Sequence, residues 1–365
     1  MVKAKYAAIT AVSLLLLFGV AVWGLLLPDA DVSRAERRTL AQAPALTAEA
    51  VFSGDYMEDL ETYLLDQFPA RDGWRTLKAV TRFGLFRQLD NNGIYLVDDQ
   101  VLKMEDPLQE NQVNYAAGKI NELMDTVLQG MDVYYSIVPD KNYFAAEANG
   151  YPHMDYDRLF RLMQDTVRAE YLDITGLLTL DDYYRTDAHW QQQSILPVAQ
   201  ALADGMGLGV SLEPEGGYTA NTLEPFYGAY WGQSALPVAP DTLTYLTSAA
   251  TEAASMTGAE FEGRWPVYTV SRFTGMDGYD VYAGGAQAIL TIESPLAKTD
   301  RELIVFRDSF GSSIAPLFLE GYARVTLIDL RYVATSILTE YVDFADQDVL
   351  FLYSTSLLNA GMLLR

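Results

Sequence analysis

The N-terminal apolar run is the feature that most limits how this chain can fold. Residues 6–28 (YAAITAVSLLLLFGVAVWGLLLP) contain no charged side chain. As a helix that rises about 1.5 Å per residue, this run is long enough to cross a hydrocarbon core of about 30 Å. A cleavable signal peptide has a shorter apolar region, followed soon by a small-x-small cleavage site. We therefore predict that residues 1–28 form a cytoplasmic stub and an uncleaved transmembrane helix.

The charges that flank this run predict which way the rest of the chain faces. Lys3 and Lys5 precede the run, and Asp29 and Asp31 are the charged residues nearest to its other end. Three arginines follow at positions 34, 37 and 38, so the basic residues on the two sides are close to balanced. Because basic residues beside a membrane helix favour the cytoplasmic side, the two lysines at the membrane edge decide the prediction. We expect a single-pass N-terminal anchor in the cell membrane and an extracytoplasmic main domain.

Net charge and composition exclude several classes of function. The chain of 365 residues has 25 Lys and Arg against 49 Asp and Glu, a formal net charge of −24. A surface this negative repels phosphate backbones, so no nucleic-acid partner is expected. The chain contains no cysteine, which excludes disulfides, thiolate metal sites and a cysteine nucleophile. No soluble cofactor is expected either.

Composition and periodicity after the apolar run predict a linker and then one folded domain. Residues 29–50 are polar and have no apolar period, which is typical of a linker. The folded domain is predicted for residues 51–365. Near its start, a helical period is broken at Pro69, so two short helices are expected, with Asp66 and Arg71 as a structural ion pair. The segment NGIYLVDDQVL predicts a hairpin with the two aspartates at its turn.

Helical and strand patterns then alternate along the chain. Apolar residues at helical spacing from Val113 predict a helix that ends at Gly130. Further helices are expected from Tyr156 to Glu170 and after His189. Short apolar strands are predicted at MDVYYSIV, YLDIT, ELIVFR, RVTLIDL and DVLFLYS. Helices between such strands predict an α/β fold with a mostly parallel sheet that is covered on both faces. Residues 216–291, rich in Tyr, Gly, Thr and Pro, predict a β-rich insertion with a hairpin pair over the site.

The two histidines narrow the search for a catalytic group. A serine-dependent hydrolase or acyltransferase needs a hydroxyl, an imidazole that takes its proton and a carboxylate that orients the imidazole. Asp187 and His189 can face one another only in extended or turn-like backbone, because residues two apart diverge on a helix. Trp190 is then expected to begin the following helix. His153 lies in a loop that contains proline and has no matching serine.

The serine that could complete such a site lies in LIVFRDSFGSSIAPLF, residues 303–318. An apolar strand ends there in Arg307 and Asp308, and an apolar helical segment begins after Ser309. Ser309 therefore falls at the carboxyl end of a strand and at a helix N-terminus, where ligands bind in open α/β sheets. Backbone N–H groups at such a helix start can stabilise an oxyanion, at about 3 kcal/mol per donor.

Several blocks, taken in order, resemble the DHHW family. The central blocks are D-x-H-W at Asp187–Trp190 and D-S-F-G at Asp308–Gly311. Supporting blocks across residues 31–355 are DVSRAERRTL, DQFPARDGW, VPDKN and YDVYAGG. This family is related to the alginate O-acetyltransferase proteins, whose fold is similar to that of SGNH hydrolases. The resemblance implies an SGNH-hydrolase-like α/β domain that acts on a cell-envelope polysaccharide, with a multi-spanning membrane acyltransferase as partner.

The resemblance also implies roles for individual residues. Ser309 would be the nucleophile, His189 the general base and Asp187 the carboxylate that orients it. The SGNH serine block begins with Gly-Asp-Ser, whereas this chain has Arg307 in the glycine position. The usual glycine and asparagine donors of an oxyanion hole are not identifiable. The candidates for oxyanion or substrate contacts are Phe310, Asn142, Arg307 and Lys141.

The sequence leaves alternatives open for these residues and for the activity. His189 could be a buried imidazole that only packs with Trp190, and Ser309 could be a helix N-cap. An Asp-x-His metal site is a third possibility, although ligands for zinc are scarce in this sequence. At the level of function, the alternatives to an O-acetyltransferase are an acetyl-esterase that acts on glycan and a catalytically inactive glycan-binding or scaffold subunit.

Overall fold

The computed structural model describes residues 2–365. Met1 lies outside the described residues, as do the side chains of Val2, Lys3, Leu16, Leu17 and Ala21. The predicted cytoplasmic stub therefore falls partly outside them. The described α-helices are α1 Val2–Leu26, α2 Ala48–Ser53, α3 Asp55–Asp66, α4 Arg71–Val80, α5 Glu110–Asp125, α6 Lys141–Ala145, α7 Tyr156–Thr166, α8 Leu196–Gly205, α9 Ala229–Ser234, α10 Ala249–Ala253, α11 Phe310–Phe318 and α12 Thr355–Leu358.

The strands are short, and most of them lie in the second half of the chain. They are β1 Val32–Ser33, β2 Arg38–Thr39, β3 Ile94–Val97, β4 Gln100–Lys103, β5 Val133–Val138, β6 Glu170–Tyr171, β7 Thr219–Phe226, β8 Asp241–Thr247, β9 Ser255–Gly258, β10 Phe261–Trp265, β11 Ile289–Glu293, β12 Glu302–Arg307, β13 Arg324–Ile328 and β14 Asp348–Ser354.

Helix α1 carries the N-terminal apolar run. Its segment Ala4–Leu26 has a mean hydropathy of 2.4 and is not buried by the rest of the protein. Its length and composition suffice to cross a membrane, and they are properties that an anchor shares with a signal sequence. The predicted N-terminal apolar helix is confirmed, while its retention as an anchor stays a prediction.

Contacts between residues divide the chain into two compact units. The first unit is Met1–Asn92 with Gly232–Val238, and the second is Gly93–Trp231 with Ala239–Arg365. In the first unit, α3 and α4 are separated at Pro69 as predicted. The predicted linker, residues 29–50, contains the antiparallel pair β1–β2 and the start of α2. The predicted boundaries at residues 28 and 50 stay predictions.

A buried carboxylate organises the first unit. Asp66 is 7% exposed and accepts hydrogen bonds from Arg38 Nη1 at 2.7 Å and Nη2 at 2.5 Å. The backbone N–H of Ala41 donates to the same carboxylate at 2.9 Å. Arg71, the predicted partner, lies 3.8 Å from Asp66 but 2.6 Å from Glu36. Asp66 is thus a structural ion-pair residue as predicted, and Arg38 is its main partner.

The second unit is built on an eight-stranded sheet with the strand order β10-β9-β11-β13-β12-β14-β5-β6. The strands from β13 to β6 pair in parallel, and β10, β9 and β11 add an antiparallel edge. Side chains of β12 alternate between two core clusters, with Leu303 and Val305 on one face and Ile304 and Phe306 on the other. Burial on both faces explains why these strands are uniformly apolar, and it confirms the predicted α/β class.

Several predicted elements have different bounds or partners. Helix α5 buries Val113, Ala117 and Ile120 as predicted, but it ends at Asp125, five residues before Gly130. The β3–β4 hairpin turns at the two aspartates as predicted. Within residues 216–291, β7 and β8 form a separate two-stranded sheet, whereas β9 and β10 extend the main sheet. The segment is β-rich as predicted, and part of it belongs to the core architecture.

The Arg38–Asp66 pair predicts an acid-sensitive contribution to stability. Hydrogen bonding to Arg38 lowers the pKa of Asp66 to about 2. The pair therefore stabilises the fold above the ordinary aspartate pKa of about 4, and this contribution is lost as the pH falls towards 2. We expect Asp66→Asn to lower the free energy of unfolding by roughly 2 kcal/mol at neutral pH. Denaturant unfolding, combined with hydrogen exchange in residues 30–80, measures this loss of stability.

The matched control is Asp59→Asn, on the exposed side of the same helix. Its effect should be near zero at every pH. An Asp66→Asn protein as stable as the wild type at neutral pH would contradict the assignment.

Candidate active site

Ser309 lies in the turn between β12 and α11. It occupies the N-cap position of α11, yet its side chain forms no capping hydrogen bond with the helix. Instead, Ser309 Oγ lies 2.7 Å from His189 Nε2, across 120 residues of sequence. The N-cap alternative therefore accounts for the position of Ser309 in the helix but not for the direction of its side chain.

Asp308 holds this turn in place. The carboxylate is 2% exposed and accepts hydrogen bonds from the N–H groups of Phe310 at 3.0 Å and Ser354 at 2.9 Å. Ser354 ends β14, the strand that pairs with β12. Asp308 thus ties the first turn of α11 to the end of the neighbouring strand, which fixes the backbone that carries Ser309.

His189 bridges Ser309 and a buried carboxylate. Its Nδ1 lies 2.5 Å from Asp187 Oδ1, and Asp187 is completely buried. The other carboxylate oxygen, Oδ2, accepts the N–H of Ala229 at 2.6 Å. If Nδ1 carries the ring proton and donates it to Asp187, Nε2 is left as the acceptor for the Ser309 hydroxyl. The three side chains form one directed chain of hydrogen bonds.

The segment around Asp187 and His189 is a tight loop, as predicted, and not a helix. An antiparallel bridge between Tyr183 and Trp190 closes it, and Tyr184 N–H donates to His189 C=O at 3.0 Å. The prediction that Trp190 begins a helix is wrong, because α8 begins six residues later at Leu196 with a proline in its first turn. Trp190 packs the loop in another way: its Nε1 donates to Ser313 Oγ at 2.8 Å.

Tyr279 is a site residue to which the sequence assigned no role. Its ring stacks on the His189 imidazole, with centroids 3.8 Å apart and planes 11° from parallel. Its hydroxyl donates to Ser313 Oγ at 2.7 Å, so Ser313 holds both Tyr279 and Trp190. The YDVYAGG block that contains Tyr279 was a supporting motif of the family resemblance. Stacking between residues 90 apart has no local sequence pattern that would have revealed it.

Lys141, predicted as an oxyanion or substrate contact, has a structural contact instead. Its side chain is buried, and Nζ donates to the carbonyls of Val101 at 2.7 Å, Tyr184 at 2.8 Å, Arg185 at 3.0 Å and Asp187 at 3.3 Å. Burial lowers the pKa of Lys141 to about 7, although the surrounding carbonyl oxygens favour the protonated amine. Lys141 thus holds the loop that carries Asp187.

Arg307 and Phe310 also form contacts outside the Ser309–His189–Asp187 chain of hydrogen bonds. The Arg307 guanidinium is fully buried, lies 3.6 Å from Asp329 and donates to the carbonyl of Gly285 at 3.1 Å. Burial lowers its pKa, which the Asp329 carboxylate opposes. The Phe310 N–H is bound to Asp308. Arg307 in the glycine position of the serine block is therefore part of a structural ion pair, in which its Nε keeps no hydrogen-bond partner among the described residues, and the Phe310 N–H is not free for an oxyanion.

Asn142, the remaining oxyanion candidate, lies in a different set of contacts. It is 1% exposed, its side-chain oxygen accepts the hydroxyl of Tyr95, and its N–H donates to Asp140 at 2.8 Å. It lines a cavity of about 560 Å³ together with His153 and Tyr156. The Nδ2 of Asn142 is buried and has no hydrogen-bond partner among the described residues, so its role as an oxyanion donor stays a prediction. Within residues 2–365, no group of three or more His, Asp or Glu is arranged to hold a metal ion.

Comparison with solved structures identifies the fold. A DHHW family protein from Eubacterium siraeum superposes with a TM-score of 0.59 at 22% identity, covering 75% of this chain and 94% of that one. Bacillus cereus PatB1 with a sulfonyl adduct superposes with a TM-score of 0.58 at 18% identity, covering 74% of this chain and 98% of that one. The O-acetyltransferase domain of Pseudomonas putida AlgJ superposes with a TM-score of 0.43 at 16% identity, covering 73% of this chain and 92% of that one.

No protein-family model and no curated protein matches the sequence significantly. The first two superpositions confirm the predicted resemblance at the level of the fold, an α/β fold with a mostly parallel sheet.

Gly228 provides a test of how strictly the Asp187 loop is positioned. A Cβ at residue 228 would clash with the Thr186 carbonyl and lie 2.6 Å from Asp187 Cβ. We expect Gly228→Ala to displace the carboxylate and to slow modification of Ser309 by a sulfonyl fluoride about 100-fold, the usual effect of a misplaced catalytic group. Mass spectrometry of the modified serine measures the rate.

The control is Gly118→Ala in α5, where an added Cβ meets no atom within 4 Å. It should react as the wild type does. A Gly228→Ala protein with an unchanged rate would contradict the close packing at Asp187.

Lys141 provides a second test, directed at stability. Lys141→Met keeps the length of the side chain but leaves its carbonyl partners without a donor. We expect the free energy of unfolding to fall by about 3 kcal/mol, since losing hydrogen bonds to a buried charge costs this order of energy. Urea unfolding measures it, with Lys103→Met at an exposed position as control. Equal effects of the two substitutions would rule out the proposed loop-holding contact.

Proposed function

We propose that the chain is a membrane-anchored, extracytoplasmic O-acetyltransferase-like enzyme that modifies a cell-envelope polysaccharide. Ser309 is the nucleophile, His189 the general base and Asp187 the carboxylate that orients His189. The observation that carries the proposal is the continuous hydrogen-bonded chain, with 2.7 Å from Ser309 to His189 and 2.5 Å from His189 to Asp187. The Ser309–His189 distance lies within the range that proton transfer to a general base requires, and the His189–Asp187 contact is a short hydrogen bond that orients the imidazole.

In the first half-reaction, Ser309 Oγ attacks the carbonyl carbon of an acyl ester while its proton passes to His189 Nε2. Asp187 stabilises the imidazolium that forms and remains ionised. When the tetrahedral intermediate collapses, the C–O bond to the donor breaks, and the imidazolium returns the proton to the leaving alcohol. The product is an acyl-serine, here an acetyl-serine, and a free donor alcohol.

The oxyanion needs donors at the first turn of α11. In that turn the N–H of Phe310 is bound to Asp308 Oδ1, that of Gly311 to Asp308 C=O, and that of Ser312 to Ser309 C=O. We assign the backbone N–H of Ser309 itself as the oxyanion donor, because it lies beside the attacked carbon and at the positive end of α11.

The second half-reaction decides between transferase and esterase. His189 removes a proton from the incoming hydroxyl, which attacks the acetyl-serine and regenerates Ser309. A sugar hydroxyl as acceptor gives O-acetylation of the polysaccharide, whereas water gives deacetylation. The aromatic rings of Tyr279 and Phe310, which stack on or tilt against His189 with centroids 3.8 Å and 5.0 Å away, limit the access of water to the imidazole.

Further observations support the acetyl group, the location and the reactive serine. The sequence blocks resemble a family related to alginate O-acetyltransferase proteins, and the fold matches a DHHW family structure. Helix α1 is long and apolar enough to anchor the domain in the cell membrane. A multi-spanning membrane acyltransferase would then supply acetyl groups from the cytoplasmic side. The PatB1 structure carries a sulfonyl adduct, and sulfonyl electrophiles react with activated nucleophilic side chains.

Removal of any member of the chain should abolish turnover. We expect Ser309→Ala and His189→Ala to lower kcat for a chromogenic acetyl ester by about 10⁴-fold or more, and Asp187→Asn by a similar factor because the wrong imidazole tautomer is favoured. The assay uses the full chain in detergent. Ser211→Ala, at an exposed serine, is the control.

The same assay separates the possible activities. Acetyl groups that appear on an added oligosaccharide, with loss of transfer in Ser309→Ala, support the transferase. Release of free acetate alone supports the esterase. Hydrolysis that survives both Ser309→Ala and His189→Ala rules out the proposed triad. If Ser309 of the wild-type chain reacts neither with acetyl esters nor with a sulfonyl fluoride, the chain is an inactive scaffold.

A further inference from the structure

We infer that the corner between α3 and α4 is a membrane-binding surface that rests on anionic lipid headgroups. This inference rests on the proposed anchoring of the chain by α1. The surface, here called the juxtamembrane face, consists of Leu65, Phe68, Trp74, Leu77 and Lys78. It belongs entirely to the first unit of the chain.

Contacts place this corner at the end of α1. Gly24, in the last turn of α1, lies so close to Pro69 that a Cβ there would be 3.4 Å from the proline Cγ. Leu27 and Pro28, which follow α1, line a cavity of about 390 Å³ together with Phe68 and Pro69. If α1 spans the bilayer, the corner therefore lies at the level where the helix leaves the hydrocarbon.

Hydrogen bonds fix the end of α3 to the residues that follow α1. Tyr63 OH donates to the Asp29 carboxylate at 3.1 Å. The Gln67 side chain bonds the backbone of Ala30 in both directions, accepting from its N–H and donating to its C=O at 2.9 Å each. The last turn of α3 therefore cannot move far from the membrane end of α1.

The side chains at this corner are apolar and exposed. Leu65 is 62% exposed, Trp74 50% and Leu77 52%. Leu77 follows Trp74 by three residues, so the two lie on one face of α4. Leu65, Phe68 and Trp74 line a common cavity of about 420 Å³. Large apolar side chains grouped in the open mark an interaction site, and Trp is preferred at membrane interfaces.

The basic residues around the juxtamembrane face favour an anionic lipid surface as its partner. Residues 71–89 contain five basic residues and one acidic residue, in a chain whose net charge is −24. Arg71, Arg75 and Lys78 line the same cavity as Trp74, and Arg71 and Arg75 also share the carboxylate of Glu36, at 2.6 Å and 3.4 Å. Lys78 is exposed and donates to the neutral side chain of Asn92 at 3.1 Å. An amphipathic segment with Trp and Leu beside Lys and Arg fits the boundary between acyl chains and anionic headgroups.

The absence of cysteine allows a direct test in the full-length chain. Leu77→Cys is labelled with an environment-sensitive nitrobenzoxadiazole dye and reconstituted into vesicles of equal parts phosphatidylglycerol and phosphatidylcholine. The lipid quencher is a mixture of lipids that carry a doxyl group either near the headgroup or near the bilayer centre, and aqueous iodide is the second quencher; together they report where the dye lies. Leu15→Cys in the middle of α1 reports anchoring, and Leu296→Cys, an exposed leucine of the second unit, is the matched control.

We expect the lipid quencher to reach the dyes at residues 15 and 77 but not at 296, and iodide to show the reverse. Lys78→Glu with Arg87→Glu should lower the ratio of membrane-bound to aqueous dye at residue 77 by at least tenfold, since each basic residue near an anionic surface contributes about fivefold. Lys103→Glu with Arg168→Glu, both at exposed positions of the second unit, should leave it unchanged.

Three outcomes would overturn the inference, each in a distinguishable way. If the lipid quencher reaches the dye at residue 15 but iodide reaches the dye at residue 77, the juxtamembrane face does not bind the membrane, although α1 still anchors the chain. A dye at residue 77 shielded from both quenchers identifies a second copy of this chain as the occupant, since it is the only protein in the vesicles. If the lipid quencher does not reach residue 15, the anchoring itself fails, and the juxtamembrane face fails with it.

Discussion

The buried carboxylate of Asp187 is the constraint on which the candidate site depends. A fully buried charge is costly unless it is paired and hydrogen-bonded, and here His189 and the N–H of Ala229 satisfy it. Those bonds require a tight loop, which Lys141 holds through the carbonyls of Tyr184, Arg185 and Asp187. The buried Lys141 amine thus stabilises the backbone that carries the buried Asp187 carboxylate. The direction of the His189 ring, and hence its reach to Ser309, follows from this arrangement.

The parallel sheet provides the other half of the site. Parallel pairing brings the carboxyl ends of β12, β14 and β5 to one edge, and a polar residue that bonds a neighbouring segment follows each strand within two residues. Asp308 binds the N–H of Ser354, and Thr355 donates to Asp140 at 2.6 Å. Burial raises the pKa of Asp140, and hydrogen bonds from Thr355, Tyr156 and the Asn142 N–H oppose this shift. A serine placed at this edge is held by a network that spans three strands, which is the preorganisation that nucleophilic catalysis needs.

Much of the fold could be predicted from local pattern, and less of the site. The uniformly apolar strand before Ser309 predicts a strand covered on both faces, and the break at Pro69 predicts where α3 ends. Trp190 was misplaced because an aromatic residue before a helical pattern resembles a helix start, whereas its indole N–H bonds Ser313. The sequence predicts Arg307 and Lys141 as candidates for oxyanion or substrate contacts. Their partners, Asp329 and four backbone carbonyls, come from distant segments that no spacing rule connects.

By itself, the sequence determined the long apolar helix, the alternation of helices and strands, and the position of Ser309 at a strand-to-helix turn. These features depend on periodicity and on residue types within a few turns of the chain. Only the tertiary structure decided that His189 reaches Ser309 across 120 residues, that Tyr279 stacks on the imidazole, and that Arg307 pairs with Asp329. Such contacts depend on how the segments between them pack. That packing is a property of the whole core, and no local stretch of sequence encodes it.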